Sequence, residues 1–242
     1  MKRHEFLSRL HDRLQPRSYL EIGVNQGLSM ALSRVPSIGV DPDYRVSAEV
    51  QADLHLARTT SDEFFARQDP LAHFSSPVVD LAFIDGMHLA EYALRDFLSV
   101  ERFTHPTSVL VLDDMLPGKV EHASRYRTTT VWAGDVFKAG LALRSLRPDL
   151  IVLDVDTVLT GVAVVLCPDA TRGGILPGYD DWLETAICPD PQDVPAEVLT
   201  RSRAHDPEEL LAWPLWDLLR ARRTARAPAA AAAVREAFAA TS

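Results

Sequence analysis

Cysteine is scarce in this chain: Cys167 and Cys188 are the only 2 in 242 residues, and they form no CxxC pair or Cys/His ligand spacing. That excludes a disulfide framework and gives no hint of structural zinc; it fits a reducing compartment, so the cytoplasm is the expected location. No apolar stretch reaches the roughly 20 residues that span a bilayer, and no long apolar segment follows Met1-Lys2-Arg3-His4-Glu5. Neither a membrane partner nor a secretory leader is expected. Positive charge is also thin, with 25 Lys and Arg against 34 Asp and Glu for a formal net charge of −9. With a basic cluster only from Arg220 to Arg226, a nucleic-acid backbone is excluded as the main partner. Internal repeats are absent.

What is present is an apolar fraction of 47%, enough to fill the core of one α/β domain with decoration. The stretch Val79-Asp80-Leu81-Ala82-Phe83-Ile84-Asp85-Gly86-Met87-His88 reads as a buried parallel strand whose tip delivers polar groups to a site. A second run, Ser108-Val109-Leu110-Val111-Leu112-Asp113-Asp114, ends on two acids one helix-length later. Side by side, these tips gather Asp85, Asp113 and Asp114 at one sheet edge. Such an oxygen-rich cluster suits a hard divalent cation, whose charge offsets the repulsion among the acids. The alternative is an unmetallated, partly protonated cluster or simple helix caps.

Upstream, Phe6 to Leu14 has helical spacing and stops before Pro16. Tyr19-Leu20-Glu21-Ile22-Gly23-Val24-Asn25-Gln26-Gly27 then reads as a strand entering a glycine turn and a helix over Leu28 to Arg34. Glycine there lets backbone approach a ligand closely. The loop reads Glu-x-Gly-x-x-x-Gly, not the GxGxxG of dinucleotide binders. The next strand, Ser37 to Val40, ends on Asp41-Pro42-Asp43, where Asp41 could accept both hydroxyls of a ribose or be a solvated turn acid. After a short strand over Leu54 to Ala57, Ser61 or Asp62 can cap a helix and lie near a purine. His88 to Phe103 reads as a helix. The loop Met115 to His122 would form a lid above the acids. Asp135 is expected to cap a helix running through Leu146. The runs 150–156 and 161–166 are joined too closely for a parallel crossover and must form an antiparallel hairpin.

These motifs, in this order over roughly residues 17 to 167, resemble a class I S-adenosylmethionine-dependent methyltransferase. Phe83-Ile84-Asp85-Gly86-Met87-His88 and Leu112-Asp113-Asp114 are similar to motifs of its metal-dependent O-methyltransferases, of the catechol and antibiotic-sugar types. The resemblance implies a Rossmann-like, doubly wound sheet of seven strands, mostly parallel with an antiparallel terminal strand. It also implies that Glu21, Gly23, Asn25 and Gly27 surround the amino-acid end of S-adenosylmethionine and Asp41 its ribose, with Ser61 and Asp62 near the adenine. Asp85, beside the cofactor, would join Asp113 and Asp114 as ligands of Mg²⁺ or another divalent cation. His88 is the expected base, with His122 or Lys119 from the lid behind it; each histidine could instead be structural.

The expected organisation is a cofactor-binding domain over 1–170, a helical appendage over 171–223 and an alanine-rich tail over 224–242. Trp182, Trp213 and Trp216 of the appendage could line an acceptor pocket, dock on the sheet or make the contact of a homo-oligomer. The favoured function is methyl transfer to a hydroxyl of a small molecule: a sugar, a phenol or another secondary metabolite. A nicotinamide-dependent oxidoreductase and a cofactor-binding protein without turnover are the alternatives.

Overall fold

The computed structural model describes residues 1–240; the tail's last two residues, Thr241 and Ser242, lie outside them. Seven strands form one sheet: β1 (Tyr19–Ile22), β2 (Ser37–Val40), β3 (Leu54–Ala57), β4 (Leu81–Ile84), β5 (Val109–Asp113), β6 (Ile151–Val155) and β7 (Val162–Leu166). Their order is β3-β2-β1-β4-β5-β7-β6. All run parallel except β7, which slots antiparallel between β5 and β6. This is a Rossmann-like methyltransferase sheet, with the 150–166 hairpin in the expected place. β6 is an edge strand, and residues beside it shield its backbone through a Val155–His205 bridge.

The helices among the described residues are α1 (Arg3–Leu14), α2 (Ser61–Phe65), α3 (Ala90–Glu101), α4 (Phe137–Leu146), α5 (Tyr179–Ala186), α6 (Ala196–Leu199), α7 (Pro207–Ala212), α8 (Leu215–Arg222) and α9 (Ala227–Ala239). Side chains alternate between the faces of a strand, so each strand feeds two cores. Leu20, Ile22, Ala82, Ile84, Leu110 and Leu112 face one core with Phe64 of α2, Phe97 of α3 and Leu143 of α4. Tyr19, Leu81, Phe83, Val109 and Val111 face the other, with Phe6 and Leu10 of α1, Leu211 of α7, Trp216 of α8 and Val234 of α9. Trp216 is fully buried; Trp182 and Trp213 pack half-buried on opposite faces.

Three local expectations need correction. Leu28 to Arg34 forms only a 3₁₀ turn, Met30–Leu32: the Ser29 hydroxyl donates to Glu21, and Ser33 bonds with Ser37 across the turn. Hydroxyls engaged in this way compete with a regular helix. The cap of α2 is Thr60, in a reciprocal box with Glu63, one residue before Ser61. Asp135 does not cap α4, whose N-cap is Val136; its Oδ1 accepts the Ala90 amide at 2.9 Å and so caps α3 from outside.

Candidate functional site

The first glycine of the loop is fixed by space. Gly23 has φ +87°, and a Cβ there would stand 1.8 Å from the carbonyl oxygen of Asp85, so the β1 loop and the β4 tip touch backbone to backbone. Gly27 has φ +77° and packs against Val46. Asn25 donates its amide to Asp41 Oδ2 at 2.8 Å, and Asp43 donates its own to Oδ1 at 2.7 Å, so the β2 tip is tied to the β1 loop.

A cavity of 480 Å³ opens above these tips. It is lined by Gly23 and Asn25, by Asp41 and Asp43, by Ser61 and Asp62, and by Asp85 and His88, with Tyr92 and Asp96 of α3 on its floor. Glu21, Gly27, Asp113, Asp114 and His122 are not among the lining residues. Ser61 donates to Asp96 at 2.5 Å, and Asp62 pairs with Arg95. Sequence reasoning missed Tyr92 as a lining residue and Asp96 altogether. The one signal for Asp96 was an acid on an otherwise apolar helix face.

Glu21 shares its strand face with Tyr19, toward α1. It is fully buried and accepts the Tyr19 hydroxyl at 2.6 Å and the Ser29 hydroxyl at 2.7 Å. Burial pushes its carboxyl up to about 8, against the pull of those two hydrogen bonds.

The same alternation carries Asp85 and Asp113 to the α1 side, after Phe83 and Val111. There they meet Arg3, whose guanidinium reaches Asp85 Oδ2 at 3.1 Å, pairs with Asp113, and lies 5.7 Å from the centre of the Phe83 ring. Nothing in the sequence pattern pointed to Arg3. Asp114 turns away at φ +63° and meets His88 instead. Nδ1 of His88 lies 2.9 Å from Asp114 Oδ2 and Nε2 lies 3.5 Å from Asp85 Oδ1. The ring stacks on Trp132 at 4.6 Å and 6°. Burial works against charge on the ring, but the hydrogen bonds and charges of Asp114 and Asp85 outweigh it and push its pKa up to about 10. Burial also raises the Asp85 carboxyl. Three carboxylates thus share two side-chain cations.

Of the expected lid, Met115, Leu116 and Pro117 are buried, Val120 and His122 are half-buried, and Gly118, Lys119 and Glu121 are exposed. The backbone carbonyl of His122 accepts from Ala133 and Gly134 at 2.8 and 3.1 Å. Its Nδ1 is buried with no hydrogen-bond partner among the described residues. Gly134 has φ +63°, and a Cβ there would stand 1.7 Å from the His88 carbonyl oxygen, so it is the backbone at Gly134 that presses on the site, with His122 bonded to its far side. Arg125 donates to Asp135 at 2.7 Å and to both oxygens of Glu91.

Residues 20–115 match the sequence family described as a methyltransferase domain. No curated protein matches the chain. Among solved structures, cofactor-bound Rv0187 from MTB is 20% identical with a TM-score of 0.50, over 69% of this chain and 79% of that one. The O-methyltransferase TomG from Streptomyces achromogenes, involved in tomaymycin synthesis and solved with S-adenosylmethionine, is 18% identical at TM-score 0.47, over 68% and 78%. An O-methyltransferase from Bacillus cereus in complex with S-adenosylhomocysteine is 13% identical at TM-score 0.48, over 68% and 80%. In its fold, and over residues 20–115 in its sequence, the chain resembles the class I S-adenosylmethionine-dependent methyltransferases.

Proposed function

We propose that the chain is an S-adenosylmethionine-dependent O-methyltransferase acting on a hydroxyl of a small molecule, of the sugar, phenol or other secondary-metabolite kind. One observation carries the reading: a single cavity joins the Gly23–Asn25 loop and Asp41 to Asp85 and His88, so a cofactor cleft and an acid cluster adjoin. In this reading the β1 loop takes the amino-acid end of the cofactor. Asp41 accepts the ribose hydroxyls with the lone pairs its two amide partners leave free. Ser61 and Asp62 flank the base. Methyl transfer then needs mainly an acceptor oxygen held in line with the sulfonium carbon, which is a task of positioning.

A divalent cation fits part of the acid cluster. Ligand atoms of Asp85, His88 and Asp114 lie within 4.8 Å of one another, and a small side-chain shift would bring them within the roughly 4.4 Å that two bonds of about 2.2 Å to one ion allow. These three would hold it, while Asp113 faces Arg3. The nitrogen donor suits Mn²⁺ or another transition ion at least as well as Mg²⁺. When bound, such an ion supplies a Lewis acid that lowers the pKa of an acceptor hydroxyl. His88 cannot both ligate and act as the base. Without the ion its ring holds a proton between Asp85 and Asp114, and carboxylate oxygens are then the proton acceptors at the site. His122 could contribute only if the segment carrying it opened toward the cavity.

The test is release of S-adenosylhomocysteine from S-adenosylmethionine across a panel of phenols, sugars and hydroxy acids, with and without chelator. Acceptor-dependent release is the expected result, lowered by the chelator. Cofactor binding without release on any acceptor would indicate a binding protein. A melting temperature raised by NAD and not by S-adenosylhomocysteine would indicate an oxidoreductase.

A further inference from the structure

Two nucleophilic side chains outside the cavity are held in contact. Lys138, in the first turn of α4, is 9% exposed, and its Nζ lies 3.2 Å from Sγ of Cys188, which stands 50 residues later in the loop after α5. The amine is fixed by three further groups: it donates to the Ala186 carbonyl at 2.6 Å and to Gln192 Oε1, and it lies 3.3 Å from Asp135 Oδ2. An ammonium carries three hydrogens, so these four acceptors exceed what it can serve, and the sulfur is the weakest of them. The thiol has a better acceptor of its own in Gln192 Oε1, 3.3 Å away. Asp135 does not depend on the lysine, because Arg125 donates to the same oxygen at 2.7 Å. Lys138 can therefore give up a proton without stranding a buried carboxylate. Cys188 is half-buried, so a small oxidant reaches it from solvent, whereas Cys167 is 1% exposed.

We propose that Lys138 and Cys188 form a covalent latch set by peroxide: Cys188 is oxidised to a sulfenic acid, and the Lys138 amine captures it as a sulfur–nitrogen bond. In the first step the sulfur attacks one oxygen of hydrogen peroxide and the O–O bond breaks. The thiol proton leaves with the second oxygen as water, so sulfur is oxidised by two electrons and peroxide is reduced by two. In the second step the neutral amine displaces hydroxide from sulfur. The N–S bond forms, the S–O bond breaks, and a proton of the amine leaves with the hydroxide as water. This is the lysine counterpart of the condensation of a sulfenic acid with a backbone nitrogen, and a reducing thiol reverses it by attacking sulfur and releasing the amine. The latch fixes a segment that lies over the site. Asp190, two residues beyond Cys188, accepts the Ser124 hydroxyl and the Arg125 amide, and the Ser124 carbonyl accepts the indole N–H of Trp132, which stacks on His88. The proposal does not depend on the identity of the methyl acceptor.

The full chain, reduced and then treated with hydrogen peroxide, tests this by intact mass and peptide mapping. The expected product is about 2 Da lighter than the reduced chain, since one peroxide is taken up and two waters leave, and dithiothreitol restores the starting mass. In the peptide map the segment of Lys138 should be joined to that of Cys188. Lys138→Arg keeps the cation but has no amine to capture the sulfur, so its product should be unlinked and about 16 or 32 Da heavier. The linked wild-type chain should melt about 5 °C higher than the reduced one, because the bond closes a loop of 50 residues. An unchanged mass, a heavier and unlinked wild-type product, or a link from Cys188 to Cys167 or to a second copy overturns the proposal. If Lys138→Arg does not fold, the wild-type peptide map decides alone. A linked chain that melts no higher overturns the latch, whatever the bond.

Discussion

Asp85, Asp113 and Asp114 lie at neighbouring strand ends with Arg3 and His88 threaded among them. Arg3 holds Asp85, which would also be a ligand of the proposed cation, so guanidinium and metal ion compete for one carboxylate. Arg3→Ala is therefore expected to tighten Mn²⁺ binding by about tenfold in calorimetric titration. Unchanged affinity would show that the two cations do not share Asp85. The same variant leaves the buried Asp113 without its partner, and a lower melting temperature is expected in the absence of metal. Glu21 supplies a prediction in pH. Its folded-state value of about 8 stands above the ordinary 4.5, so between these values the folded state holds the extra proton. The stability this contributes is present below about pH 4.5, falls as pH rises, and is lost above about 8. Glu21→Gln cannot lose that proton. Urea unfolding from pH 5 to 8.5 should shift the difference in the variant's favour, by up to about 1.4 kcal/mol per pH unit. A constant difference would mean that Tyr19 and Ser29 keep Glu21 ionised throughout.

At the scale of elements, the strands were legible because a parallel sheet covered on both faces needs unbroken apolar runs; β4 and β5 have them up to their acidic tips, and β1 has one interrupted only by Glu21. The caps were not. Thr60, Ser61 and Asp62 can each cap a helix, and only the reach of Glu63 back to Thr60 decides among them. Asp135 precedes α4 in sequence but serves α3, because residues 124–135 fold back over the β4 tip. Asp135→Ala should thus act on two elements at once. It removes the cap of α3 and one carboxylate shared by Arg125 and Lys138, with an expected loss of about 3–5 kcal/mol in urea unfolding. Hydrogen exchange should quicken at the first amides of α3. A change confined to α4 would count against the cross-element cap. The strand alternation that sends Glu21, Asp85 and Asp113 to one face was readable in principle; the identity of the cation facing them, 82 residues upstream of Asp85, was not.

At the scale of the molecule, residues 227–240 are part of the second core and not an appendix to it. An alanine-rich helix of this length is marginal alone, but burial of one face stabilises it. Ala230 and Val234 are fully buried, and Arg235 donates to the Asp149 carbonyl at 3.1 Å. Val234→Asp is expected to cost about 3 kcal/mol or more by burying an unpaired charge, read as a lower urea midpoint; an unchanged midpoint would mean that α9 is loosely held. Composition marked the segment as low in complexity and gave no partner for it, because alanine on every side of the helix leaves no distinct apolar stripe to read. The order of the sheet was readable from motif order and from the short link before β7. How α1 joins α7 and α8 was not, since those contacts cross about 200 residues.

That junction carries a consequence for refolding. Arg223 donates to the carbonyls of Leu14 and Gln15 at the end of α1, Arg9 pairs with Glu208, and Arg13 bonds the Trp213 carbonyl. Each of these bonds joins groups about 200 residues apart, so a long loop must close before any of them forms. The clasp around α1 is therefore expected to be completed after the shorter-range pairings of the sheet are in place.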